Sequence, residues 1–223
     1  MPLISHRGAS GLADANSPDS IQEGDKYNPA FIEVDVNCTA DNIIVIYHGS
    51  ISRFLSGNKT SETYEELKQK YPFLMTFSEF LVLKTKSPYI FDLKVQDEDT
   101  LSSIATALHT FSRDDFAFTS PHETAMVYMK KQFPDSLFFQ SQPYHHGPTV
   151  ALEIARKNNF DGIALNKWWL TPIVYNICKA HGKKINAYTI DSAFGIWLAQ
   201  RMFPSAYITT NRPDTYRRIF PKG

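Results

Sequence analysis

The chain has two cysteines only, no excess of charge of either sign, and no long apolar run. Cys38 and Cys178 are too few for a disulfide framework and lack the short spacings of a zinc site, which fits a reducing compartment and a cytoplasmic protein. Both are expected as plain core residues. Lys plus Arg number 23 and Asp plus Glu number 23, so no overall field draws the chain to nucleic acid or to an anionic membrane. Any anion must therefore be recognised by particular side chains. No apolar stretch approaches the roughly 18 residues of a membrane span, and no basic-then-apolar leader precedes Leu3, so neither a stable membrane anchor nor a signal peptide is expected. Repeats, low-complexity tracts and linkers are absent too. Residues 1–223, enough to bury a full-sized core, are expected to form one domain. No heptad or obvious apolar patch indicates an oligomeric state.

What the sequence does contain is a regular succession of short apolar runs and helical patterns. Strands are expected at 3–5, 31–36, 43–47, 89–93, 116–119, 137–140, 162–165, 185–190 and 206–209. Apolar residues at three- and four-residue spacing predict helices over 63–70, 100–111, 123–133, 149–158, 172–181 and 194–203, with Gly182 as a C-terminal cap. Strand-helix alternation along a chain of this length predicts a parallel α/β architecture, specifically a single (β/α)₈ TIM barrel. Nine candidate strands compete for eight places, so one must lie outside the ring. The connection from Val36 to Ile43 is too short for a crossover helix, which makes the barrel irregular between its second and third strands.

Charged residues fall where such barrels carry their active sites, at the C-terminal ends of strands. The first strand ends in Ser5-His6-Arg7-Gly8, the second carries Glu33 and Asp35 on one face, the third ends in His48, and the fourth carries Asp92 and Lys94. Singly, each has a plain structural explanation: a core histidine, a solvated strand face, an ion pair. Jointly they do not, because buried charge is costly unless paired, ligated or functional. Three carboxylates suit a hard divalent cation, Mg²⁺ or Ca²⁺. Arg7 and Lys94 suit a phosphate, and two histidines suit general acid-base chemistry near neutral pH. Together these residues point to metal-assisted cleavage of a phosphodiester. Trp168 and Trp169, at the end of the seventh strand, and Tyr188, on the eighth, are candidates for the substrate pocket. His145-His146 resembles a ligand pair but has no third partner.

The motifs His6-Arg7-Gly8-Ala9, Asn16-Ser17, Ile32-Glu33-Val34-Asp35-Val36, Thr39-x-Asp41 and Val45-Ile46-Tyr47-His48 resemble the signature of the glycerophosphodiester phosphodiesterase family. Weaker blocks continue the resemblance through Phe91-Asp92-Leu93-Lys94, Asp161-Gly162-Ile163, Tyr188-Thr189-Ile190-Asp191 and Thr210-Asn211-Arg212-Pro213. The resemblance implies a TIM-barrel enzyme that turns glycerophosphodiesters into glycerol 3-phosphate and an alcohol. Position by position it makes His6 and His48 the acid and base, Glu33, Asp35 and Asp92 the metal ligands, and Arg7 and Lys94 the phosphate contacts. The chain departs from the pattern at Ala15, Asp92, Gly49, Tyr188 and Asn211, where the family has Glu, Glu, Asp, Trp and Asp. With only residues 50–86 to hold a cap, an open pocket is expected. Two other readings are a lysophospholipase D-like enzyme acting on lysolipids and a non-catalytic barrel that binds a phosphorylated ligand. A glycosidase would leave Arg7 and the histidines without work, and an amidohydrolase would want His-x-His where Gly8 stands.

Overall fold

The computed structural model of the protein describes residues 2–49, 57–111, 116–142 and 147–221. Eight parallel strands close into a ring: β1 (Leu3–Ser5), β2 (Phe31–Cys38), β4 (Tyr89–Leu93), β5 (Ala117–Ser120), β6 (Leu137–Ser141), β7 (Gly162–Asn166), β8 (Lys184–Tyr188) and β9 (Tyr207–Thr210). Closure comes from β1, which pairs with β2 on one side and β9 on the other. The fold is the expected TIM barrel.

The surplus strand is β3 (Ile44–Ile46), which runs antiparallel to the upper part of β2 and stands outside the ring. The hairpin between them is tied by Thr39, whose N–H donates to the Ile43 carbonyl at 2.9 Å and whose Oγ1 accepts from the Ile43 N–H at 2.9 Å. A link this short reverses the chain and cannot carry it back to start another parallel strand.

Helices α1 (Pro18–Asp25), α2 (Tyr64–Lys70), α3 (Phe77–Leu81), α4 (Glu98–His109), α5 (Glu123–Gln132), α6 (Pro148–Lys157), α7 (Pro172–Ala180), α8 (Ala193–Met202) and α9 (Pro213–Ile219) flank the strands. Six were expected; α1, α3 and α9 were not. The first of these lacks an apolar stripe because it packs by being thin: a Cβ on Gly24 would come within 2.8 Å of Ser5 Oγ and 2.9 Å of the Gly8 carbonyl. Ser17 caps this helix, its hydroxyl accepting from the Ser20 N–H at 3.0 Å. Gly182 follows α7 with φ +66°, as expected of a C-terminal cap.

Two layers of core follow from the period of two along each strand. Outward-facing residues such as Ile32, Val34, Phe91, Leu93, Phe118 and Ile163 pack under the helices. Inward-facing Ile4, Ile90, Ala117, Phe139 and Ala164 plug the lower barrel. Two residues further along the same strands the inward positions turn polar: Ile4 is succeeded by His6, Ile90 by Asp92 and then Lys94, Ala117 by Thr119, Phe139 by Ser141. The upper mouth is therefore polar above a dry floor. Among the described residues, no helix is long and apolar enough to cross a membrane.

Candidate active site

At the end of β1 the backbone turns sharply. Arg7 has φ +51° and Gly8 φ +80°, and a Cβ on Gly8 would lie 2.4 Å from Ser20 Oγ, so only glycine fits there. The turn aims the Arg7 N–H at Glu33, which accepts through Oε2 at 2.7 Å, and the Gly8 N–H donates to the Glu33 carbonyl at 3.0 Å. The first loop is thereby fastened to β2.

The β2–β4 register sets Asp35 directly beside Asp92, two like charges that would repel if left alone. Lys94 answers them: its Nζ lies 2.8 Å from Asp35 Oδ1 and also donates to Asp92. Arg7 Nε adds a second cation 3.1 Å from Asp35 Oδ2. Asn16, held at φ +62°, donates its amide to Asp35 Oδ2 at 2.8 Å and accepts from the Asp35 N–H at 3.2 Å. Burial alone would raise the Asp35 carboxyl, but Lys94 and Arg7 override it and hold the group ionised well below the usual carboxylate range. Asp35, Asp92 and Glu33 in turn keep Lys94 charged against its burial.

Glu33 and Asp92 are held the other way. Burial, reinforced by Asp35 and Asp92, pushes Glu33 well above its ordinary value; burial also raises Asp92, opposed by Lys94 and reinforced by Asp35. Glu33, Asp35 and Asp92 each offer an oxygen within 4.8 Å of the others, and among the described residues they form the only such group of three. Asp92 Oδ1 is buried without a hydrogen-bond partner. An unpartnered oxygen in a group of three carboxyls, two of which resist ionisation, fits a dication with oxygen ligands.

His6 is oriented from the far end of the chain. Its Nδ1–H donates to Asn211 Oδ1 at 2.6 Å, and the Asn211 amide nitrogen donates to Asp191 Oδ2 at 2.8 Å. Asp191 also accepts at Oδ1 from the Asn211 N–H at 2.8 Å and from Thr210 Oγ1 at 2.9 Å. A carboxylate can only accept, so Asp191 forces the Asn211 amide to turn its oxygen toward His6. The proton is thereby kept on Nδ1, and Nε2, 3.8 Å from Glu33 Oε2, is the basic nitrogen. Burial, followed by the Arg7 charge, lowers the His6 pKa to about 4.

His48 reaches the mouth by a route the sequence did not disclose. Strand β2 outruns its pairing with β4, which ends at Val36, and the hairpin brings the chain back down so that the Tyr47 N–H donates to the Asp35 carbonyl at 2.9 Å. His48 is thus delivered by a strand outside the ring, travelling against the barrel strands, and not by the end of a barrel strand. Its Nδ1–H donates to the Gly49 carbonyl at 3.0 Å, and burial lowers its pKa.

His6, Arg7, Glu33, His48, Asp92 and Lys94 line one cavity of about 300 Å³, with Asp35 buried beneath them. The opposite wall is neutral: Thr119, Ser141, Gln142, Asn186, Tyr188 and Thr209 contribute to it. Trp168 and Trp169 do not line this cavity. They sit on a 3₁₀ turn (Lys167–Trp169) whose Trp168 N–H donates to Asn166 Oδ1 at 3.1 Å, and they are 80% and 45% exposed. His145 and His146 lie outside the described residues, as does the 50–56 part of the short cap segment. The described remainder of that segment packs elsewhere, Leu67 and Leu74 against Val45 of β3 and Phe77 against Phe91 of β4. Sequence reasoning missed the orienting role of Asp191. Asp191 ends the block that contains Tyr188, but nothing in that placement tells which residue it touches.

A sequence model of the Glycerophosphoryl diester phosphodiesterase family matches residues 6–215. Among solved structures, the chain resembles a candidate glycerophosphodiester phosphodiesterase from Galdieria sulphuraria, with a TM-score of 0.83 at 19% identity over 100% of this chain and 98% of that one. A glycerophosphodiester phosphodiesterase from Parabacteroides distasonis superposes with a TM-score of 0.78 at 23% identity, covering 99% and 97%. An Oleispira antarctica phosphodiesterase, solved with the product sn-glycerol-3-phosphate, gives 0.79 at 20% identity over 100% and 97%. At these identities the structures speak to the fold. No curated protein matches the sequence.

Proposed function

Because the chain belongs to the glycerophosphoryl diester phosphodiesterase family, an enzyme family that hydrolyses glycerophosphodiesters, we propose that it yields glycerol 3-phosphate and an alcohol by paired histidine catalysis at a divalent cation. The observation that carries this reading is the convergence of two imidazoles, three carboxylates, a guanidinium and an ammonium at one mouth. Glu33, Asp35 and Asp92 would hold the cation, Mg²⁺ or Ca²⁺. When bound, such an ion supplies Lewis acidity toward a phosphoryl oxygen.

The chain's own residues do the rest. Arg7 and Lys94 place positive charge where it builds on the phosphoryl oxygens. One histidine accepts the proton of the glycerol 2-hydroxyl as that oxygen bonds to phosphorus; the other gives a proton to the alcohol oxygen as its bond to phosphorus breaks. Water then opens the cyclic phosphate with the two roles reversed. Asn211 and Asp191 are positioning residues that fix which His6 nitrogen is basic. Tyr188 and its neutral neighbours face the departing alcohol. Two free, buried cysteines suit action in the cytoplasm, with residues 1–223 working as one domain. The departures at Ala15, Gly49, Asp92, Tyr188 and Asn211 remove none of these groups, which weighs against a barrel that only binds ligand.

Phosphorus NMR of the protein with a panel of glycerophosphodiesters and lysolipids, with Mg²⁺ or Ca²⁺ and again with chelator, tests the reading. A diester signal replaced by a glycerol monoester or cyclic phosphate only when metal is present supports it. Survival of every diester under every metal would overturn it.

A further inference from the structure

The side of the barrel that carries α7 and α8 is apolar where solvent-facing helices are ordinarily polar. Of the ten large apolar side chains exposed among the described residues, eight lie between Trp168 and Met202. On α8 they recur at Phe194, Trp197, Leu198 and Met202, a stripe along the outer face, while Ile196 and Ala199 pack inward. On α7, Ile173 and Ile177 stand one turn apart and exposed, with Cys178 buried behind them. The helices follow β7 and β8, neighbours in the ring, and Tyr175 of α7 packs on Phe203 just beyond α8 at 5.2 Å between ring centroids. Trp168 and Trp169 extend the patch to the mouth: Asn166, two residues before Trp168, pairs in register with Tyr188 of the cavity wall. Contiguous apolar surface of this kind marks a contact face.

Local charge selects the partner. Residues 167–202 contain five basic residues and one acidic residue, Asp191, in a chain whose total charge is zero. That one acid is engaged with Asn211 and Thr210, whereas Lys167, Lys179, Lys184 and Arg201 are exposed. Whole-chain neutrality thus conceals a basic, aromatic face. A second copy docked about a two-fold axis would set two such positive faces together, whereas an anionic lipid surface offers the opposite sign. Tryptophan, isoleucine and phenylalanine flanked by Lys and Arg are the side chains that settle at the boundary between headgroups and acyl chains. We propose that the α7–α8 face docks the protein on an anionic phospholipid bilayer, with Trp168 and Trp169 at the edge nearest the cavity mouth. Docking uses none of the groups assigned to catalysis.

All three tryptophans of the chain lie on this face, so intrinsic fluorescence reports on it directly. The protein is sedimented with vesicles of equimolar phosphatidylglycerol and phosphatidylcholine, and with phosphatidylcholine vesicles alone, while tryptophan emission is recorded. Sedimentation with the anionic vesicles and a blue shift are expected, with partitioning at least about tenfold weaker on phosphatidylcholine alone or at high salt. The I173S/F194S/W197S variant should lose vesicle binding about tenfold or more while hydrolysing a soluble glycerophosphodiester as before. A second variant, K179E/R201E, alters exposed positions only and should weaken anionic-vesicle binding selectively. The proposal is overturned if the protein stays in solution with both vesicle types. It is equally overturned if sedimentation equilibrium reveals a dimer that I173S/F194S/W197S dissociates, which would give the face to a second copy. Vesicle binding is read without substrate, so its failure and a failure of diester hydrolysis are separate results.

Discussion

The two halves of the barrel mouth are built from different chemistry. From β1 to β4 every strand contributes ionisable groups to the cavity, and several are tied together, the Arg7 side chain to Asp35 and its N–H to Glu33, Lys94 to Asp35 and Asp92. From β5 to β9 the cavity-lining side chains of the described residues are neutral. Removing Arg7, Lys94 or Asp35 from the first half leaves a buried charge without its partner, which is costly. A change in the second half loses a hydrogen bond or a contact and little else. On the proposed function, this division would give bond cleavage and choice of alcohol to separate strands, so that the second could drift without disabling the first.

The largest expected effect tests that division head on. His6→Ala or His48→Ala should lower turnover of a glycerophosphodiester by about 10² to 10⁴-fold, whereas Thr119→Ala or Ser141→Ala should stay within about tenfold. Steady-state rates decide it, and a loss from the neutral wall as large as from the histidines would break the comparison.

Next come the carboxylates. Glu33→Gln or Asp92→Asn should weaken Mg²⁺ or Ca²⁺ binding by at least about 10 to 100-fold, read by calorimetry of the metal alone. Both variants should melt higher than the parent without metal, because each removes a carboxyl whose ionisation burial disfavours. A lower melting temperature would mean that these groups hold the mouth together and do not strain it.

The same shifts fix a pH dependence. Glu33 and Asp92 bind their protons more tightly folded than unfolded, so the metal-free protein should lose stability as pH rises above the ordinary carboxylate value. A bound cation requires both ionised, so its affinity should climb with pH and its binding should release protons. Titrations in buffers of different ionisation enthalpy measure that release; none at any pH above the ordinary carboxylate value would contradict the shifts.

A smaller effect should come from Asp191→Ala, which frees the Asn211 amide to rotate. The rate is expected to fall about 10 to 100-fold with KM little changed, and nitrogen-15 shifts of His6 should report a mixed tautomer. Unchanged shifts would assign Asp191 to packing alone. Smallest of all, Tyr188→Phe should alter the ratio of kcat/KM between two head groups by a few-fold, about 1 kcal/mol, with the histidine-dependent rate intact. That result would sharpen the division between the walls.

Much of this was written locally. Period-two alternation along 31–36 and 89–94 placed Glu33, Asp35, Asp92 and Lys94 on one face, because adjacent residues of a strand cannot share a side. The strand-helix rhythm disclosed the barrel for the same reason. The direction of β3 was not legible: an apolar tripeptide reads alike whether it runs with or against its neighbour, and only its link to β2 betrays the reversal. Helix α1 escaped because Ser20 and Gly24 are buried for their smallness and leave no apolar period. The outward turn of Trp168 depends on one side-chain cap from Asn166, which composition does not announce. The link from Asp191 through Asn211 to His6 is a tertiary fact, with nothing local to signal it.

That last link spans the chain. His6 and its orienting partner Asn211 stand 205 positions apart. The ring itself closes only when β9 pairs with β1. A growing chain therefore holds both histidines and all three carboxylates in sequence long before His6 is set in its tautomer. On the proposed function, a chain cut short before β9 would carry the histidines and carboxylates while lacking the strand that aligns them.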